Sequence, residues 1–403
     1  MYTSLTLLAL FTLVYSVVAK GLERTWLSGP LLFTAFGVAV GPLGLGWIEM
    51  RADAESLRDL AELTLAVVLF TDAAGADLGV LRRFGRMPRR LLLVGLPLTI
   101  LLGWGAGLLL FGALTVLEAA LLATMLAPTD AALGKGVITN TAVPDPVRQA
   151  LNVESGLNDG ICVPVVLLLL AIVEDSAGKG LDTWRFGFGL FMQSLGIGAA
   201  VGVALAAGSA ALLRLGHRRD WLSAAWTKIT VVALAFACFG GAQLMGGSGF
   251  IAAFVGGLLF GQLLKRHKAA LLTAAEGIGD SFSLVTWGMF GAAVVGPALD
   301  VFSWKPMLYA ALSLTVIRMA PVYVSLSGLG LSREARLFTG WFGPRGLASI
   351  VFGVLALDAE LPHGRLLTLT VVWTIILSVV AHGVTAPFWA RGFGARESRR
   401  GPN

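Results

Sequence analysis

Residues 121–130 read Leu121-Leu122-Ala123-Thr124-Met125-Leu126-Ala127-Pro128-Thr129-Asp130. An apolar run fit for a bilayer core is cut within its own length by a proline and an aspartate. Proline lacks the N–H that a helix needs and clashes with the preceding turn, and an acid at that depth is costly. Far along the chain Gly343-Pro344-Arg345-Gly346 interrupts another apolar run, again beside a charge, now of opposite sign. One intramembrane proline is ordinarily just a kink. Two at matched positions, each beside an opposite charge, predict two broken helices that cross.

Of the 403 residues, 56% are hydrophobic and 13% charged, against about 25% charged in soluble domains. Apolar stretches long enough to span a hydrocarbon core of about 30 Å as helices recur along the chain. Their centres are near Leu10, Phe36, Val67, Ile100, Leu122, Val166, Gly198, Ala233, Val255, Phe290, Leu314, Ala348 and Trp373. This predicts an all-α integral membrane protein of thirteen transmembrane helices.

Cytoplasmic connections collect Lys and Arg, which tests the count. With the N-terminus outside, the inside segments hold Lys20 and Arg24; Arg82, Arg83, Arg86, Arg89 and Arg90; Lys135 and Arg148; Arg214, Arg218 and Arg219. Further inside segments hold Lys265, Arg266 and Lys268; Arg333 and Arg336; and Arg391, Arg396, Arg399 and Arg400. The outside loops hold only Arg51, Arg58, Lys179, Arg185, Lys305 and Arg365, with the acids Glu49, Asp53, Glu55, Glu174 and Asp175. The alternation never breaks, and the C-terminus falls in the cytoplasm.

The first span resembles a signal peptide at Val17-Val18-Ala19 but lacks a basic leader. Cleaving it would reverse the parity of everything downstream, so it is read as a helix. The net charge of +6 suits loops against anionic lipid and requires no nucleic acid. Cys162 and Cys238 lie in spans and read as small core residues.

Thirteen spans divide into a first six-helix repeat (1–175), a connecting seventh helix (176–220), a second repeat (221–390) and a short basic tail (391–403). A single connecting helix makes the halves enter the membrane in opposite directions, the inverted-repeat plan of many secondary transporters. The breaks fall in the fifth and twelfth spans, equivalent under that plan, where a substrate site is expected.

Ionisable groups inside spans are functional candidates: Asp72, Asp130, Glu154, Asp159, Arg318 and Arg345, with Lys228 snorkelling to the cytoplasmic face. The richest segment is Asn152-Val153-Glu154-Ser155-Gly156-Leu157-Asn158-Asp159-Gly160. At i,i+4 spacing Glu154 shares one helical stripe with Asn158 and Ser155 the next with Asp159. Asp159 beside the Ser155 hydroxyl offers hard oxygen ligands suited to a small cation. A desolvated carboxylate there holds a cation or a proton, but not both. Asp130 is expected near the paired N-terminal helix ends and Arg345 near the paired C-terminal ends, compensating their dipoles.

The strings APTD, NVESGLNDG, GGSGFIAAFVGGLL, VIRMAPVYV and GPRGLASIVF, in this order and spacing, resemble the NhaP-type sodium/proton antiporters of the first monovalent cation:proton antiporter family, relatives of the animal Na⁺/H⁺ exchangers. The likeness covers nearly the whole chain. It implies electroneutral exchange of Na⁺ or Li⁺ for H⁺ by alternating access, in pH homeostasis, with no cofactor, in a homodimer of a bacterial-type inner membrane. It implies Asp159 as ion-binding acid and proton carrier, Asn158 as its neutral neighbour, Thr129 and Asp130 at the unwound crossing, and Ser155 completing the site. Glu154 is implied to pair with Arg318. Asp72 sits where several relatives carry an acid near the ion pathway; ligand, funnel and structural roles all stay open for it.

A K⁺/H⁺ antiporter of the same fold is the alternative, since ligand type does not fix cavity size. A cation channel would be lined by ring-like repeated ligands, which are not evident. A rhomboid-like protease reading rests on Gly246-Gly247-Ser248-Gly249 and His382, where a glycine turn is the simpler explanation. The expectation is a transporter and no enzyme.

Overall fold

The computed structural model describes residues 2–22, 25–47, 54–76, 85–130, 133–176, 182–223, 226, 229–265, 268–299, 301 and 303–400. Arg24, Glu49, Arg51, Asp53, Arg82, Arg83, Lys179, Lys228 and Arg266 lie outside them. Among the described residues every regular element is a helix. In chain order these are α1 (Tyr2–Leu22), α2 (Gly29–Val40), α3 (Ala54–Gly75), α4 (Arg86–Leu110), α5 (Val116–Met125), the short α6 (Lys135–Ile138), α7 (Asp145–Ser176) and α8 (Asp182–Arg218). There follow α9 (Thr230–Leu244), α10 (Gly249–Leu263), α11 (Lys268–Phe290, continued by a π turn towards Leu299), α12 (Trp304–Ser325), α13 (Arg333–Trp341), α14 (Leu347–Asp358) and α15 (Gly364–Arg400). Each predicted span centre falls inside one of these helices.

Among the described residues six helices are long and apolar enough to cross a membrane, and six more apolar helices are shorter. Two of the shorter ones, α5 and α14, are short because each begins or ends at a break. α3 belongs to neither group, since Arg58, Asp59, Glu62 and Asp72 dilute its apolar character.

Helix ends differ from the expected loops. Arg58 belongs to α3, where it bonds Glu62 at 2.7 Å and pairs with Asp358 at the end of α14. The residues expected as a tail after Pro387 continue α15 to Arg400. A helix satisfies its own backbone past the hydrocarbon edge, so the polar switch that marks a loop in sequence marks only the interface here.

α3 is the pivot around which the site is built. Gly257 and Gly261 of α10 meet it so closely that a Cβ on either would collide with the Phe70 or Ala74 carbonyl. Small residues four apart let two backbones approach in this way. On its other sides α3 meets α7, α11 and α14, the elements that carry the polar residues described next.

Candidate functional site

The two breaks meet. Helix α5 ends at Met125 and its chain runs on without regular structure to Asp130; α13 ends at Trp341 and α14 begins at Leu347. The Asp130 N–H donates to the Pro344 carbonyl at 2.8 Å, joining the breaks backbone to backbone. Asp130 Oδ2 accepts from the Leu347 N–H at 2.8 Å, and Oδ1 from the Leu133 N–H at 3.0 Å. A carboxylate thus caps the positive start of α14. At the opposite pole Arg345 Nη1 donates to the Ala127 and Pro128 carbonyls at 2.6 and 3.0 Å, which follow the C-terminal end of α5. Ser349 adds a bond to the Met125 carbonyl at 2.8 Å.

Gly346 is where the approach is tightest: a Cβ there would sit inside the Asp130 carboxylate. Gly346→Ala is therefore expected to destabilise the protein by about 1 to 3 kcal/mol, because the displaced carboxylate leaves a buried N–H unpaired. Thermal unfolding in detergent checks this, with Gly105→Ala, which meets nothing, as the unaffected control.

Helix α7 braces the first break. Ser155 Oγ donates to the Thr129 carbonyl at 2.6 Å, and Asn158 Nδ2 donates to the Thr129 hydroxyl at 2.7 Å. These two residues, one turn apart, hold Thr129 by both of its oxygens. Glu154, one turn before Asn158, accepts from Arg318 Nη1 and Nη2 at 2.6 and 2.8 Å, in a pair that is 1% exposed on both sides. Such a bidentate geometry occupies both carboxylate oxygens.

Asp159 is placed differently. It is buried, and its Oδ1 has no hydrogen-bond partner among the described residues. It borders a cavity of about 260 Å³ that is also lined by Asp72, Asp130, Lys135, Glu276, Asp280 and Ser283. Lys135 and Asp280 form an ion pair at 3.1 Å with more than half of each side chain exposed, marking the mouth. Asp72 lies in the last turn of α3, its Cβ facing Gly156. The structure thus brings Asp72, Asp130 and Asp159 to one cavity and sets Glu154 and Arg318 apart from it.

Glu276 and Asp280 were not among the sequence candidates. Their signal was available: 276, 280, 283 and 287 form one stripe of α11 at helical spacing, and three of the four are polar. Glu118 was missed too. It is fully buried, closes a capping box with Thr115, and bonds the His363 ring at 3.0 Å.

A larger cavity of about 600 Å³ is lined by Arg58, Glu62, Glu174 and Gln243. Arg58 and Asp72 are 14 residues apart on α3, about 21 Å along its axis, so the two cavities open at opposite ends. Asp159 borders only the smaller. Ser248 caps α10 through the Ile251 N–H at 3.3 Å, while His382 bonds Ser378 and Trp341. Neither is poised as a nucleophile and base.

The family described as sodium/hydrogen exchanger, transmembrane, matches residues 7–392. The chain belongs to that family. A K(+)/H(+) antiporter NhaP2 of Shewanella baltica is 25% identical over 95% of this chain and 65% of its own length. A K(+)/H(+) antiporter NhaP of Alkalimonas amylolytica is 24% identical over 94% and 65%. The chain therefore spans 65% of the length of these relatives. Its fold is that of the sodium proton antiporter MjNhaP1 from Methanocaldococcus jannaschii, with a TM-score of 0.79, 19% identity and 98% of both chains covered. In a member of this exchanger family the crossed breaks and the acid-lined cavity are the natural place to look for transport.

Proposed function

We propose that the protein exchanges a monovalent cation, Na⁺ or Li⁺, for a proton by alternating access, with both competing for Asp159. The observation that carries this reading is the contrast between two acids five residues apart. Glu154 spends both oxygens on Arg318, whereas Asp159 keeps Oδ1 unpaired at the wall of a cavity ringed by further acids. A locked ion pair stays charged; a lone acid facing water and cations can change its occupant. Thr129, Ser155 and Asn158 position the break beside it, and Asp72 and Asp130 add negative charge that concentrates cations.

The same reading takes thirteen crossings in two inverted six-helix repeats, an outside N-terminus and a cytoplasmic C-terminus. The smaller cavity then opens to the cytoplasm, at the end where the basic connections lie. A homodimer in a bacterial-type plasma membrane, acting in pH homeostasis, completes it.

K⁺ is the second reading, favoured by the names of the relatives from Shewanella baltica and Alkalimonas amylolytica. Proton flux in proteoliposomes driven by each alkali cation in turn tests both. Flux with Na⁺ and Li⁺ but not K⁺ is expected; flux with K⁺ alone selects the second reading, and flux with none removes the function.

Exchange is expected to be electroneutral. The residue before Asp159 is the amide Asn158, so one carboxylate carries either one cation or one proton. Each net charge moved across 100 mV is worth about 2.3 kcal/mol, so an electrogenic exchanger would respond strongly to voltage. With potentials clamped by valinomycin, the Na⁺ gradient that balances a given proton gradient should not move. A voltage-dependent balance point would show a second carrier.

A further inference from the structure

The break before α14 removes a particular hydrogen bond, and the last helix supplies its replacement. In a continuous helix the Arg345 N–H would donate to the carbonyl four residues back, that of Trp341. Pro344 and the turn at Phe342-Gly343 separate the two groups; Arg345 is buried and Trp341 half-buried, and an unpaired backbone group away from water is costly. The Arg345 N–H instead donates to Ser378 Oγ at 2.7 Å. The Trp341 carbonyl lies 2.8 Å from His382 Nε2 and accepts a local bond from the Gly343 N–H at 2.8 Å.

Ser378 and His382 are one turn apart on α15, are buried, and touch each other through Oγ and Nδ1 at 3.2 Å. A third residue of the same stripe, Thr385, accepts from the Trp341 ring N–H at 2.9 Å. His382 Nδ1 also lies 2.8 Å from the Ser378 carbonyl, so each ring nitrogen faces a carbonyl that can only accept, and the neutral ring donates to one of them at a time.

We infer that Ser378 and His382 are positioning residues for the exchange site: they contact the Arg345 N–H and the Trp341 carbonyl, the two ends of one of the backbone bonds lost at the break. They thereby fix Arg345 against Ala127 and Pro128, and Leu347 against Asp130. Neither touches the cavity that Asp159 borders. Their effect is on the separation of the two halves of the broken helix, and through it on where Asp130 and Thr129 lie. The inference rests on the proposed exchange at that site.

The test separates cation affinity from turnover in reconstituted protein, alongside the melting temperature of each variant. Ser378→Ala and His382→Leu are each expected to raise the half-saturating cation concentration roughly tenfold, equivalent to about 1.4 kcal/mol. Because both hold one break, the double variant should be no worse than the weaker-binding single. Ser378→Thr and His382→Gln, which restore a hydroxyl and an N–H, should return within about threefold of the parent. Ser378→Ala deletes a single atom and carries the test if His382→Leu does not fold. Unchanged half-saturation in Ser378→Ala would overturn the inference. So would losses that follow melting temperature alone, with His382→Gln no better than His382→Leu. Exchange that survives Asp159→Asn would instead remove the assignment of the cation site, a failure read on a different variant.

Discussion

Asp159→Asn should abolish cation-dependent proton movement while leaving a folded, membrane-inserted protein. The amide keeps the volume of the carboxylate, so the local packing is preserved. What disappears is a buried carboxylate at the cavity wall whose Oδ1 has no partner among the described residues. Asp72 and Asp130 border the same cavity, but Asp130 is committed to the Leu347 and Leu133 N–H groups. The expected loss is complete within the detection limit of a pH-sensitive dye in proteoliposomes. Exchange retained at a tenth or more of the parent rate would move the carrier to Asp72.

Breaking the Glu154–Arg318 pair from one side should damage stability more than any other single change at the site. Glu154→Gln leaves a guanidinium that is 1% exposed without its counter-ion, a change that typically costs about 3 to 5 kcal/mol. Arg318→Gln strands the carboxylate by the same amount. Replacing both removes the unmatched charge, so the double variant should be less damaged than the sum of the singles. Thermal unfolding in detergent across the double-mutant cycle measures the coupling. Additive losses would mean that the contact, bidentate as it is, contributes nothing as a pair.

The sequence marked the two breaks because proline and an opposed charge inside apolar runs leave few other readings. It marked the Asn152–Gly160 segment because polar residues crowd a span at helical spacing. The pairing of Glu154 with Arg318 was not legible from spacing, since the partners are 164 residues apart; it entered through the family resemblance. Glu276 and Asp280 escaped because they precede the apolar stretch centred on Phe290, where acids pass for loop residues. Their role at the cavity depends on how α11 leans towards α3 and α6, which no single-chain pattern records. Ser378 left no signal of its own, and His382 drew notice only in the protease reading. A serine and a histidine one turn apart acquire meaning only when a broken backbone 33 residues away lies against them.

Competition at one carboxylate has a direct signature in the purified protein: adding cation must expel a proton. In weakly buffered detergent solution, addition of Na⁺ should release one proton per cation bound, the amount falling as the pH rises and the site is already deprotonated. The release should be absent in Asp159→Asn and present in Gly105→Ala. Cation binding without proton release, or release that persists in Asp159→Asn, would contradict competition at Asp159.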